Sequence, residues 1–228
     1  MKYNDISKAV FLERPNRFIA HVLLNGKKEI VHVKNTGRCR EILNRGTQVI
    51  LEKSRNKNRK TNYSLISAYK GNNLINIDSQ VPNAVVYQGL RDKKVDEIQN
   101  ICMLKREVFY GNSRFDIYFE TPLEKGFVEV KGVTLENDGI TMFPDAPTER
   151  GTKHVKEMVK AVHEGYKGYI FFLIQMKGVK YFTPNAIMDD KFASALKYAK
   201  ENGVGILAYD SYVTENEIVI GNKVKVKI

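Results

Sequence analysis

The 228-residue sequence has no tryptophan, only two cysteines and no long hydrophobic run. The two cysteines, Cys39 and Cys102, form neither a disulfide framework nor a CxxC metal pair, so we expect reduced thiols. The longest apolar run, 169–176, is much shorter than the ~18 residues of a membrane span. The N-terminal MKYNDISKAV lacks the apolar core of a signal peptide. We therefore expect a cytoplasmic protein with no membrane partner.

Positive charge is abundant and unevenly distributed. The formal net charge is +11. Residues 1–80 contain 16 Lys or Arg and 6 Asp or Glu, whereas residues 81–228 contain 21 and 20. This asymmetry predicts one part that binds a polyanion and a second part with another task. A generally basic proteome is the alternative explanation.

Residues 1–80 have the pattern of short strands separated by turn signals. Asn25-Gly26 is typical of a hairpin turn, and a short helix is predicted over 38–43. Such a pattern favours a small β-barrel, for which the OB-fold is the natural candidate, and these barrels often bind nucleic acid. The predicted strands are 9–13, 17–24, 28–33, 47–53, 63–69 and 74–78.

Residues 81–228 predict a mixed sheet flanked by helices, so the chain as a whole is α/β (α+β overall) with parts 1–80 and 81–228. The apolar run 169–176 does not alternate, which indicates a strand buried on both faces. A C-terminal hairpin is expected to turn at Gly221-Asn222. The predicted helices are 81–100, 152–164 and one from about 189 that ends at Asn202-Gly203. The predicted strands are 103–110, 115–120, 127–135, 169–176 and 204–209.

Asp116, Glu129 and Lys131 are the strongest candidates for chemistry. Glu129 and Lys131 are two apart in a strand and leave the same face, and a hairpin can place Asp116 opposite them. Two converging carboxylates suit Mg²⁺ or Mn²⁺, and an adjacent ammonium can orient water or neutralise phosphate charge. The alternative is a surface Glu129/Lys131 ion pair with Asp116 solvated.

This arrangement resembles the PD-(D/E)xK nuclease superfamily, which has an acid on one strand and (D/E)xK on the next. The predicted order of a helix, three strands, a helix and a strand agrees with that core. Phe115 stands where the superfamily usually has proline. The resemblance implies a Mg²⁺-dependent endo- or exonuclease with Asp116, Glu129 and Lys131 as catalytic residues and Asp116 and Glu129 as metal ligands.

Further residues are candidates for supporting this site. Glu107 and Glu97 are additional acids, with ordinary solvated charge as the alternative. His154 and Glu157 share one flank of a helix and could act as a general base or contact metal-bound water. Asp145 and Arg150 belong to the 143–154 segment, which we expect to fold over the site.

The cations of residues 1–80 are candidates for binding nucleic acid. Residues 53–60 contain five of them among Ser and Asn, which indicates a loop that neutralises phosphates without reading bases. Phe18 and Tyr63 are aromatics on which bases could stack, with a core position as the alternative. The candidate cations are Arg17, Arg38, Lys53, Arg55, Lys57, Arg59 and Lys60.

Six segments in order along the chain resemble the sugar fermentation stimulation protein family. The resemblance implies an OB-like N-terminal domain, a nuclease-like C-terminal domain and DNA binding with a regulatory role in sugar (maltose) metabolism. We therefore expect a DNA partner, with RNA as the alternative, and little sequence preference. The segments are RPNRF (14–18), HVKNTGR (32–38), RKTNY (59–63), YGNSRFD (110–116), EVKGVT (129–134) and FPDAPTERGTKH (143–154).

Overall fold

The computed structural model describes residues 1–35, 37–56 and 58–228. The first part of the chain forms one sheet, in which the strands lie in the order β3-β2-β1-β4-β5-β6. Its strands are β1 (Ile6–Glu13), β2 (Ile19–Leu24), β3 (Lys27–Val33), β4 (Gln48–Lys53), β5 (Tyr63–Lys70) and β6 (Asn73–Asn76).

Strands β1 to β5 close into a barrel because β3 also pairs with β5. This pairing is parallel and joins His32 to Ser64 and Val33 to Leu65. Alternating apolar side chains fill the interior, which removes them from water. The OB barrel expected from the sequence is confirmed. Fully buried interior residues include Val22, Val31, Val33, Val49, Leu51 and Leu65.

The short helix expected over 38–43 is wrong. The chain there makes a single turn, in which the Leu43 amide donates to the Cys39 carbonyl at 2.8 Å. Cys39 has a φ of 47°, which is incompatible with the start of a right-handed helix. Ile42 and Leu43 are buried, so their apolar pattern reflects burial of the turn in the barrel core.

The second part of the chain contains a mixed six-stranded sheet in the order β15-β14-β12-β9-β8-β7. Strand β12 pairs in parallel with β9 and β14, and the outer pairs are antiparallel. The strands are β7 (Met103–Tyr110), β8 (Ser113–Glu120), β9 (Lys125–Val133), β12 (Lys167–Ile174), β14 (Gly205–Val213) and β15 (Ile218–Lys223).

Three helices cover the two faces of this sheet. They are α1 (Pro82–Arg91), α2 (Glu149–His163) and α3 (Asp190–Glu201). Helices α2 and α3 contribute Met158 and Phe192 to the apolar cluster of one face, whereas α1 contributes Val85 and Leu90 to the cluster of the other. The predicted mixed sheet with flanking helices is confirmed.

A small sheet of three short strands was not expected from the sequence. It consists of β10 (Leu135–Asn137), β11 (Ile140–Phe143) and β13 (Tyr181–Pro184), in the order β10-β11-β13. Strands of three or four residues give too few alternations to predict from the pattern. This sheet begins two residues after β9 and leads into the segment before α2.

Two predicted elements of the second part are wrong. Helix α1 ends at Arg91 rather than extending to 100, because Lys93 has a φ of 57° and breaks the helical path. The expected C-terminal hairpin does not form, since Gly221 and Asn222 lie inside β15. The Asn222 amide donates to Oδ1 of Asp210 in β14 at 2.6 Å. This bond holds Gly221 and Asn222 of β15 against β14.

Buried polar contacts join the barrel to the mixed sheet. Nε2 of Gln175 donates to the carbonyl oxygen of Asn76 at 3.1 Å and to that of Asp78 at 3.0 Å. The Asn76 amide donates to the Gln175 carbonyl at 2.9 Å. The two parts are therefore directly hydrogen-bonded. In the described ranges no helix combines the length and apolarity needed to cross a bilayer.

Candidate metal centre and nucleic-acid interface

Asp116 and Glu129 lie on neighbouring antiparallel strands, β8 and β9. The register pairs Ile117 with Val128, so the next position places Asp116 opposite Glu129. Oδ2 of Asp116 accepts a hydrogen bond from the Val130 amide at 2.8 Å. This bond fixes the Asp116 carboxylate beside the backbone of the residue that follows Glu129.

Asn83 holds the other oxygen of Asp116. Its Nδ2 donates to Oδ1 of Asp116 at 2.6 Å. Asn83 lies in the first turn of α1, directly after Pro82, a proline placement typical of helix starts. Asn83 was not expected from the sequence, in which the signal was a polar residue directly after the proline that begins the helix.

The environment of Asp116 disfavours its charge. Burial, and then the nearby charge of Glu129, raise the pKa of Asp116 to about 6 from its usual 3.8. The Val130 amide, the Lys131 ammonium and the Asn83 amide act in the opposite direction. Removal from water and a second carboxylate therefore outweigh these three groups.

Glu129 is 2% exposed, and two cationic or proton-donating groups meet one of its oxygens. Nζ of Lys131 donates to Oε1 at 2.5 Å, and Nδ1 of His154 contacts the same Oε1. Burial by itself would raise the pKa of Glu129, but His154 and Lys131 hold it below its usual value. Glu129 is therefore a buried, ionised carboxylate.

The second oxygen of Glu129 is buried and has no hydrogen-bond partner in the part of the chain that the structure describes. A buried carboxylate oxygen left in this way is costly unless another group meets it. With Asp116 opposite, it offers hard oxygen donors that fit Mg²⁺ or Mn²⁺.

Any ion here would complete its coordination with water or phosphate oxygens. Within 1–35, 37–56 and 58–228, no three His, Cys, Asp or Glu side chains form a group that could hold a metal. Mg²⁺ commonly uses one or two carboxylates together with substrate phosphates, so two suffice.

Three of the other candidate supporting residues have partners outside the pair of carboxylates, and Arg150 is exposed. Glu107 lies on the edge strand β7 and pairs with Arg114 at 3.5 Å. Glu157 pairs with Lys160 at 2.8 Å, and Arg150 is exposed in the first turn of α2. Oε2 of Glu97 accepts from the hydroxyl of Tyr209 at 2.7 Å.

Asp145 faces the barrel. A Cβ added to Gly37 would overlap Oδ2 of Asp145, so only a glycine fits at this contact without a shift. Of the three residues expected to fold over the two carboxylates, His154 reaches Glu129, whereas Asp145 meets the loop after β3. This contact brings that barrel loop next to the segment that leads into α2.

The basic loops of the barrel converge near His32. The Val33 amide donates to the Phe18 carbonyl at 2.8 Å, which ties the β1–β2 loop to β3. Arg59, in the β4–β5 loop, donates from Nη1 to Oγ of Ser64 at 3.1 Å. The pKa of His32 is lowered mainly by burial and next by the positive charge of Arg59.

Most of the residues predicted to contact nucleic acid are exposed. Phe18 is 54% exposed, whereas Tyr63 is half-buried and packs against the apolar core, so Phe18 is the more open of the two for stacking. Lys57 lies outside the described residues. The exposed candidate cations are Arg17, Arg38, Lys53, Arg55 and Lys60.

Two family models match the chain and define its class. A model described as the SfsA N-terminal OB domain matches residues 12–77, and one described as the sugar fermentation stimulation protein RE domain matches residues 80–217. The chain thus joins an OB barrel to an RE domain. It belongs to the sugar fermentation stimulation protein (SfsA) family, which confirms the resemblance seen in the sequence.

Relatives match over nearly the whole chain. The sugar fermentation stimulation protein homolog of Alkaliphilus oremlandii is 58% identical, over 99% of this chain and 98% of its own length. That of Clostridium botulinum strain Langeland is 55% identical, over 98% of each. A solved structure of Pyrococcus furiosus SfsA in complex with Ca²⁺ is 29% identical, covers 100% of this chain and 98% of its own, and has a TM-score of 0.91.

Proposed function

We propose that the protein binds DNA, with RNA as the alternative, through the basic loops at one end of its barrel. The observation that carries this proposal is the position of three basic loops on a part of the chain with a large cationic excess. The loops bearing Arg17 and Arg59 meet near His32. The Arg14 guanidinium donates to the carbonyls of both Arg17 and Arg38. Lysine and arginine contacts to phosphates give affinity without sequence information. The relatives' name refers to the stimulation of sugar fermentation, and such binding is how the regulatory role in sugar (maltose) metabolism that the family resemblance implies would be exercised.

The salt dependence of binding tests this proposal. If about five phosphates of a duplex are neutralised, log K falls with log salt at a slope near −4.5. We expect the triple variant Arg55/Arg59/Lys60→Gln to flatten that slope by about 2 to 3. Lys191/Lys197/Lys200→Gln removes the same charge from α3 and is the matched control. Equal slopes for both variants would reject the role of the loop.

We infer a second function, hydrolysis of phosphodiester bonds with Mg²⁺ or Mn²⁺, from the unpartnered Oε2 of Glu129 beside Asp116. Asp116 and Glu129 would hold the ion. A bound divalent ion would lower the pKa of a coordinated water and neutralise phosphate charge. The solved structure of the Pyrococcus furiosus relative is a complex with Ca²⁺, which supports the proposal that this chain binds a divalent ion.

The chain's own residues have separate tasks in this second function. Lys131 holds an ammonium next to the Glu129 carboxylate, where it can orient an attacking water or neutralise charge that develops on phosphate. His154 is buried and contacts Oε1 of Glu129, so it positions this carboxylate rather than meeting substrate. Asn83 positions Asp116 in the same way.

Calorimetric titration with Mn²⁺ and a cleavage assay with labelled DNA and Mg²⁺ test the second function. We expect Glu129→Gln to lose both Mn²⁺ binding and cleavage. Glu201→Gln, at the exposed end of α3, is the control that retains both. Retention of Mn²⁺ affinity by Glu129→Gln would show that the ion binds elsewhere.

A further inference from the structure

An open cleft of about 480 Å³ lies between the β1–β2 loop and the turn after β3. We call it the arginine cleft, because four of its lining residues are Arg14, Arg17, Arg38 and Arg40. Phe11 and Leu43 form part of its wall. This cleft is distinct from the two carboxylates of the RE domain and from the β4–β5 loop.

Arg14 joins the two loops that border the cleft. Its guanidinium donates to four backbone carbonyls, those of Gly37, Arg38 and Arg17 at 2.7 Å each and that of Asn35 at 2.6 Å. A planar guanidinium with five fixed donors is suited to such a clamp. Arg14 is therefore used structurally, and it holds together the two loops that carry Arg17 and Arg38.

The three other guanidinium groups are available to a ligand. Arg17, Arg38 and Arg40 are exposed, and among the described residues no side-chain hydrogen bond or ion pair engages them. Glu13 is the acidic residue of the lining, and its Oε1 pairs with His21 at 2.7 Å and with Lys28 at 3.1 Å. The cleft is thus cationic, and its shape is fixed by Arg14.

Phe18 follows Arg17 in the chain, and hydrogen bonds to its backbone amide and carbonyl groups hold it in place. Oδ1 of Asn16 accepts from the Phe18 amide at 2.9 Å and from the Ile19 amide at 3.0 Å. The Phe18 carbonyl is bonded to Val33 of β3. An exposed aromatic ring on a backbone held at both sides is a preformed stacking platform.

We propose that the arginine cleft and Phe18 bind an unpaired stretch of nucleic acid, with phosphates on Arg17, Arg38 and Arg40 and a base stacked on Phe18. The two faces of a base are hidden in a duplex and accessible in a single strand. This inference rests on the proposed nucleic-acid binding and specifies its substrate as one with a single-stranded segment. Gly37 lines the cleft and touches Asp145 of the RE domain, so such a segment lies where the two parts of the protein meet.

Fluorescence anisotropy with two labelled probes, a twelve-nucleotide oligothymidine and a twelve-base-pair duplex, tests the proposal in the presence of EDTA. We expect Phe18→Ala to weaken oligothymidine binding by roughly 5- to 150-fold, because stacking is lost, and to leave duplex binding nearly unchanged. Phe109→Ala is the matched control, since Phe109 is 75% exposed on β7 of the other part of the protein.

A second variant addresses the phosphate contacts. We expect Arg38→Gln to weaken oligothymidine binding and to flatten its salt slope by about 0.7, the value for one phosphate of a single strand. Arg91→Gln, an exposed arginine at the end of α1, should change neither quantity. Unchanged thermal midpoints would show that all four variants remain folded.

The outcomes separate this inference from the proposed function. If neither probe binds the unaltered protein in a salt-dependent way, nucleic-acid binding itself is rejected. If both probes bind but Phe18→Ala weakens them equally or not at all, binding stands and the preference for an unpaired segment is rejected. Selective loss of the single-stranded probe supports the inference.

Discussion

His154 contacts Oε1 of Glu129, the oxygen to which Lys131 also donates. Both groups therefore meet one oxygen of the carboxylate and leave Oε2 without a protein partner in the described chain. The ring of His154 also packs edge-on against Phe115, with centroids 6.4 Å apart. Helix α2 thus fixes which oxygen of Glu129 is available to an ion.

We expect His154→Gln to weaken Mn²⁺ binding by about 10- to 100-fold, the usual cost of removing a group that orients a metal ligand. The amide nitrogen of glutamine lies one bond farther from the backbone than Nδ1 of histidine and carries no rigid ring, so it does not hold Oε1 of Glu129 in the same geometry, and Oε2 is no longer fixed in place. Calorimetric titration measures the affinity. His163→Gln, on the same helix but bonded to Asn202 at 3.2 Å, should bind Mn²⁺ normally, and an equal loss in both variants would contradict the positioning role.

The raised pKa of Asp116 predicts a pH dependence of stability. Because the pKa is about 6 in the folded protein and 3.8 ordinarily, the folded state binds this proton more tightly than the unfolded chain. For the metal-free protein, this group therefore makes the free energy of unfolding fall as the pH rises from about 4 to about 6. Asp116→Asn removes this contribution.

We accordingly expect Asp116→Asn to become more stable relative to the unaltered protein between pH 4 and pH 8, as measured by thermal unfolding in EDTA. The amide of Asn83 can turn to present its oxygen, so the contact between the two side chains survives. Asp138→Asn, in an exposed turn, is the control. The same difference in stability at both pH values would show that the pKa of Asp116 is not raised in the folded protein.

The alternation of apolar and polar residues was sufficient to predict most strands and the arrangement of Asp116 and Glu129. Strand β7 (Met103–Tyr110) has the predicted bounds, and the strand spacing places both carboxylates on neighbouring strands. These features depend on local periodicity, which a single sequence displays directly.

The remaining features depend on contacts between distant segments. Asn83 meets Asp116 across 33 positions, and no local pattern encodes that pair. His154 was a candidate from its place on the helix, but its contact with Glu129, 25 positions away, was not encoded locally. The 38–43 helix failed because Cys39 adopts a positive φ. The tail hairpin failed because Asp210 accepts the Asn222 amide. In each case a tertiary contact or a backbone requirement outweighed the local signal.

The two cysteines should differ in reactivity. Burial raises the pKa of the Cys39 thiol to about 12, whereas Cys102 is exposed, and only the thiolate is nucleophilic. We expect an aromatic disulfide reagent at pH 8 to modify one thiol per native chain and two per denatured chain. Cys102→Ser should abolish labelling of the native protein, and rapid labelling of that variant would show that the turn at Cys39 opens.

The contact between Gly37 and Asp145 predicts coupling between the barrel and the RE domain. A methyl group at Gly37 would overlap Oδ2 of Asp145 and come within 2.9 Å of Oδ1 of Asn35, so we expect Gly37→Ala to lower the free energy of unfolding by about 1–3 kcal/mol, as overpacking does. Asp145→Ala should cost little by itself because Asp145 is exposed. In the double variant, the cost of Gly37→Ala should fall by about 1 kcal/mol or more, which a denaturant-based double-mutant cycle measures. Additive effects would mean that the turn moves away from Asp145 without cost, and the arginine cleft would then be held by Arg14 alone.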